Sequence, residues 1–163
     1  MPSAQRQAGM SMSLVDRLID LEPESKSEAP LSSWEEVRRF KASLCRDLSA
    51  LLNTRRAEQD FDPAYEEAGN SLLNFGITDF TSYNLKNGIE QDQVRRSIER
   101  SIRLFEPRLS RVSVSIDEPD PLRPVLQFHI EAMLRVGLAS EPVVFGVSLH
   151  RESRRVAVSG GNA

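Results

Sequence analysis

One cysteine, two histidines and eight glycines among 163 residues leave several chemistries without material. Cys45 alone cannot close an internal disulfide. With His129 and His150 it also falls short of a four-ligand zinc site, so neither a disulfide scaffold nor a zinc finger is expected. The few glycines form no Walker loop and no Gly-x-Gly-x-x-Gly, and neither His-Glu-x-x-His nor Cys-x-x-Cys occurs. No cofactor, metal or small-molecule substrate is therefore expected. Long apolar runs are missing too. The first thirty residues hold none beyond Leu14-Val15, and the stretch around Val143-Val144-Phe145 is far short of a membrane span. With 21 basic and 24 acidic residues the net charge is −3, which gives no cationic field for nucleic acid. These shortages predict a soluble, cytoplasmic protein.

The length fits one domain plus a floppy end, and such a domain buries roughly 68–70% of its unfolded surface. Residues 1–30 are rich in Ser, Gln, Glu and Pro and are expected to form a flexible arm. Within it Leu14, Leu18 and Leu21 fall at spacings of four and three, which predicts a short docking segment over 13–21. A short helix packed on its own domain fits the same spacing. The capping box Ser33-Trp34-Glu35-Glu36 then opens a helix whose apolar stripe, Val37, Phe40, Leu44, Leu48 and Leu51, should run to about Asn53-Thr54. Turn signals from Asp60 to Gly88 predict loops with one or two brief helices. A second helix carries Val94, Ile98, Ile102 and Phe105 and should stop before Pro107.

Beyond Pro107 the period changes to two. Val112, Val114 and Ile116 mark one strand, and Leu126, Phe128, Ile130, Ala132 and Leu134 a second. Val143, Phe145, Val147 and Leu149 mark a third, and Val156 and Val158 a short fourth. The expected fold is α+β, with N-terminal helices packed on one face of a C-terminal antiparallel meander of three to four strands. The domain should span 31–159, with a disordered tail over 160–163.

Catalysis finds little support in the residues. His129 and His150 sit at polar-phase strand positions without a nucleophile elbow. A small α+β chain invites comparison with phage-type lysozymes. Glu36 and Cys45 have the separation of the glutamate and its partner there, but the position that should then hold Thr is Leu51. Both also lie in one expected helix, the wrong setting for a cleft. Arginine, by contrast, is abundant, at 18 against 3 lysines. Arg95, Arg96, Arg100, Arg103, Arg108 and Arg111 crowd the second helix and its exit, and guanidinium forks suit interfaces or buried ion pairs better than ammonium groups do. At Phe105-Glu106-Pro107-Arg108-Leu109 the pair Glu106 and Arg108 fits an internal corner brace and a docking surface equally.

Four stretches taken together are familiar: Ser13-Leu14-Val15-Asp16-Arg17-Leu18, Leu51-Leu52-Asn53-Thr54-Arg55-Arg56, Ser71-Leu72-Leu73-Asn74-Phe75-Gly76-Ile77-Thr78-Asp79-Phe80 and Phe105-Glu106-Pro107-Arg108-Leu109. In this order the sequence resembles the TssE family, the lysozyme-like wedge subunit of type VI secretion baseplates, itself similar to the small baseplate wedge protein of contractile-tailed phages. Phe75 stands where Tyr, and Thr78 where Pro, is usual. The resemblance implies a non-enzymatic structural subunit that joins wedge components and helps start contractile sheath polymerisation. It places the protein at the cytoplasmic face of the inner membrane, with membrane contact only through the assembled complex. Implied partners are other wedge subunits and sheath subunits, reached through Glu106, Pro107, Arg108 and Leu109 and through Leu14, Leu18 and Leu21. An exposed edge of the last strands would be the template for sheath strands. A muralytic glycosidase and a free anti-adaptor of the same fold are the alternatives.

Overall fold

The structure, a computed structural model, describes residues 13–19, 32–56, 65–80, 83, 87–117, 125–136, 139–150 and 155–162. Among the described residues four helices precede four strands: α1 (Leu14–Leu18), α2 (Ser33–Asn53), α3 (Glu66–Gly69), a 3-10 turn (Leu72–Asn74), α4 (Gly88–Phe105), β1 (Leu109–Ile116), β2 (Val125–Val136), β3 (Ala139–His150) and β4 (Arg155–Asn162). The strands form one antiparallel sheet in the order β1-β2-β3-β4, the α+β meander that the change of period predicts. No helix among the described residues is long and apolar enough to cross a membrane.

Both long helices follow from their stripes. Phe40, Leu44, Leu48, Leu51 and Leu52 of α2 and Val94, Ile98 and Ile102 of α4 are buried against the inward phase of the strands, where Phe128, Ile130, Leu134, Phe145 and Val147 lie. Val37, at the start of the α2 stripe, is only half-buried. The capping box sits one residue earlier than expected. Ser32 caps α2 with Glu35 as its reciprocal partner, and Ser33 is the first helical residue. Ser-x-x-Glu occurs twice in tandem here, and Ser32, in extended geometry, is where the chain turns into the helix.

The tail expected over 160–163 needs correction as well. β4 continues to Asn162, with Gly160 opposite Phe145 and Asn162 opposite Val144. Two glycines break the apolar alternation there. Gly160 nevertheless takes a φ of +104° at a bulge, and an added Cβ would lie 2.9 Å from the Val144 carbonyl oxygen, so the position needs glycine and the pairing resumes beyond it.

The described residues between α2 and α4 hold little regular structure but are closely tied. A parallel bridge joins Arg55 to Ile77: Ile77 N–H donates to Thr54 O at 3.0 Å and Arg56 N–H to Ile77 O at 2.9 Å. Ser101 of α4 donates its hydroxyl to Gly76 O at 2.6 Å in a buried contact. Two of the four familiar stretches are thereby locked to one another and to α4.

Candidate functional site

The corner between α4 and β1 is built from Glu106 outward. Pro107 ends the helix at Glu106, whose backbone leaves helical geometry (φ −124°, ψ 79°) and whose carbonyl accepts Leu109 N–H at 3.1 Å. The Glu106 side chain is 6% exposed and takes the Arg108 fork bidentately: Nε donates to Oε1 at 2.6 Å and Nη2 donates to Oε2. Arg108 reaches α2 as well. Its Nη2 donates to Asp47 Oδ2 at 2.6 Å, and its guanidinium lies 5.6 Å from the Phe40 ring centroid. Glu106 and then Asp47, bonded to the charged form, push the Arg108 pKa further up despite its burial. A lysine could supply the charge but not this fork.

A second ion pair ties α1 to the same stretch of α2. Ser13 caps α1 in a capping box with Asp16, an arrangement that Ser13-x-x-Asp16 signals in the sequence and that the apolar reading of this segment passes over. Asp16, 4% exposed, accepts Ser43 Oγ on Oδ2 at 2.6 Å and Arg46 Nη2 on Oδ1 at 2.6 Å. Arg46 also donates to Asp47, which joins the two networks. Burial works against the charge on Asp16, but the Ser13 and Ser43 hydroxyls and the Arg46 guanidinium outweigh it and hold the carboxyl well below the usual range.

That balance has a sign. A depressed folded pKa contributes stability that is present above the unfolded value, about 3.9, and lost only as pH falls through the folded one. Between neutral pH and about pH 4.5, therefore, α1 should remain seated, whereas Asp16→Asn should release it at pH 7 and cost about 1–3 kcal/mol. Hydrogen exchange at Val15 to Ile19 checks this. Equal protection in the variant, or loss of protection in the parent at pH 5, would contradict it.

A five-residue helix is unstable alone, and its two described apolar side chains lend it little support: Val15 is 56% and Leu18 75% exposed. Polar anchoring leaves them facing outward. Leu18 is thus available as a contact; the side chain of Leu14 and all of Leu21 lie outside the described residues, as does most of the expected arm. Between α1 and the corner opens a cleft of about 570 Å³, walled by Val15, Leu48, Leu51, Phe75 and Phe105 and rimmed by Pro107 and Arg108. Of the four corner residues, Pro107 is exposed, Glu106 and Arg108 are engaged internally, and Leu109 is in the core. Glu106 and Arg108 thus form the brace, and the brace presents Pro107 at the rim of the cleft.

The model of the family described as baseplate wedge protein gp25 matches residues 38–137, which run from within α2 through the corner to the end of β2. The chain belongs to this family of baseplate wedge proteins. No curated protein matches it significantly. Among solved structures, a chain of "The baseplate complex from the type VI secretion system" is similar at 20% identity and a TM-score of 0.48, covering 70% of this chain and 97% of its own. A crystallised chain assigned as a tail lysozyme from Geobacter sulfurreducens is similar at 17% identity and a TM-score of 0.44, covering 74% and 94%.

Side chains from the two long helices hold backbone groups on both edges of the sheet. On the β1 edge, Arg103 donates to Val112 O at 2.7 Å and Val114 N–H donates to Glu99 Oε1 at 3.0 Å. On the β4 edge, Asn53 takes both backbone groups of Val156, donating to its carbonyl at 2.8 Å and accepting its N–H at 2.9 Å. These side chains stand in for a missing neighbouring strand. Among the described residues no side chain caps Val158, two positions on and in the same phase. Glu36, exposed, and Cys45, half-buried, both lie on the single helix α2.

Proposed function

We propose that this wedge-family protein is the structural baseplate subunit of a type VI secretion system, that it docks into its wedge through the α1–corner cleft, and that it performs no catalysis. The observation that carries this reading is the cleft itself. Two polar networks, Asp16 with Ser43 and Arg46, and Arg108 with Glu106 and Asp47, fix its two rims while Val15, Leu18 and Pro107 stay exposed. A surface made rigid by internal bonds and apolar at its mouth suits an α-helical partner that brings its own apolar face. Glu106 and Arg108 then act by holding the shape of the site, and Pro107 and Leu18 by contact. Val158 of β4, which no side chain caps among the described residues although Asn53 holds Val156 and the Cys45 thiol reaches Gly160 O, supports a further role as template for a sheath strand, which needs unpaired backbone groups in one register. Assembly would take place at the cytoplasmic face of the inner membrane, with no direct membrane contact.

The test is co-purification with the neighbouring baseplate subunits. Val15→Glu combined with Leu18→Glu alters only exposed positions, so each should change stability by no more than about 0.5 kcal/mol. Incorporation into wedges should nevertheless fall at least tenfold. Wedges that take up the double variant normally would refute the docking surface. Clearing of a peptidoglycan gel that vanishes with Glu36→Gln would establish the glycosidase instead, and a stable complex formed in cells lacking the secretion cluster would establish the free anti-adaptor.

A further inference from the structure

A second cleft, of about 290 Å³, is lined by Arg56, Arg96 and Arg100 and by no aspartate or glutamate, in a chain whose acids outnumber its bases. The three guanidinium groups come from two elements. Arg96 and Arg100 lie one turn apart on α4, where like charges oppose the helix, and Arg56 is brought beside them by the bridge to Ile77. Asp92 pairs with Arg96, whereas Arg56 and Arg100 have no carboxylate partner among the described residues. Arg56 Nη2 donates to Thr78 Oγ1 at 3.3 Å, and that hydroxyl lies 3.3 Å from Ser97 Oγ, so the cleft also carries two hydroxyls within a positive rim. Its backbone is held in advance by the hydrogen bonds of Thr54, Gly76 and Ser101.

We propose that this cleft receives carboxylate side chains from an acidic segment of a protein partner. Guanidinium forks match planar carboxylates in pairs, and the volume, at the lower end of ligand pockets of about 300 Å³ and above, admits side chains more readily than a cofactor. Leu72 and Leu73, adjoining the lining residue Asn74, are strongly exposed and give such a segment an apolar flank that a free inorganic anion would not use. The site shares only Phe105 with the α1–corner cleft and does not depend on the reading given to that cleft.

Titrating the isotope-labelled full chain with a short blocked peptide of alternating glutamate and leucine tests the proposal by amide chemical shifts. Saturable shifts are expected at Thr78, Ser97 and Arg100. The glutamine counterpart should bind roughly tenfold more weakly, and Arg100→Gln, an exposed change, should weaken the glutamate peptide to a similar degree with the rest of the spectrum unmoved. Arg56→Gln should do the same from the other wall. Equal binding of the glutamine peptide, shifts confined to other surfaces, or parent-like affinity in both arginine variants would overturn it. So would inorganic phosphate saturating these amides while the peptide leaves them unshifted, since the source of the anion would then be a small molecule.

Discussion

Arg108→Glu is expected to destabilise the free chain by about 3–5 kcal/mol and to lower its melting temperature by on the order of 10 °C in calorimetry. The variant leaves the buried Glu106 carboxylate with no cation and sets a third negative charge beside it and Asp47, whose 2.6 Å bond to Arg108 is lost. It also removes the guanidinium from the Phe40 ring. Arg108→Lys should fall between the two, at about 1–2 kcal/mol, because one ammonium cannot satisfy both Glu106 oxygens and Asp47 in the fork geometry. A transition within two or three degrees of the parent for Arg108→Glu would show that the brace contributes little. Arg108 would then act by direct contact with a partner. The consequence for wedge assays is practical: Arg108 variants mix loss of folding with loss of docking, and the exposed Val15 and Leu18 are the cleaner probes.

Gly76→Ala should be about as severe, at about 3 kcal/mol or more in urea unfolding. Gly76 is buried with a φ of +109°, and an added Cβ would stand 2.5 Å from the Thr54 carbonyl oxygen, with backbone rather than a flexible side chain on the far side. Relief would require parting Thr54 from Ile77, which breaks the 3.0 Å bond between them and pulls Gly76 O away from Ser101. The same movement displaces Arg56, so the variant should also lose the arginine-lined cleft. Gly69→Ala, where nothing lies within 4 Å of the new atom, is the control and should stay within about 0.5 kcal/mol. A mild effect at Gly76 would mean that the Arg55–Ile77 bridge can slide at little cost.

The architecture was largely legible in one dimension. Phe40 to Leu51 and Val94 to Ile102 repeat at three and four, and Leu126 to Leu134 at two, because each element must bury one face and the spacing along it records which. The misplaced boundaries share a cause. Tandem Ser-x-x-Glu units at Ser32 and Ser33 cannot be told apart locally, and Gly160 looks like the end of a strand until Phe145 pairs with it. The site was legible only in half. Glu106, Pro107 and Arg108 stand together in the chain, so their corner could be read, but Asp47, Ser43, Arg46 and Asp16 carry no period that marks them as its neighbours.

The sequence alone determined that helices precede a meander, where the stripes lie, that metal and nucleotide motifs are missing, and which stretches carry the family likeness. Tertiary structure decided that Glu106 and Arg108 brace rather than protrude, that Leu109 is core, that Asn53, Glu99 and Arg103 cap the sheet edges, and that Arg56 meets Arg100. Burial periodicity is a property of neighbours along the chain and so is written in it. A polar contact between distant segments depends instead on how α2 and α4 are rotated against the sheet, and that rotation is set only when all their apolar faces pack at once.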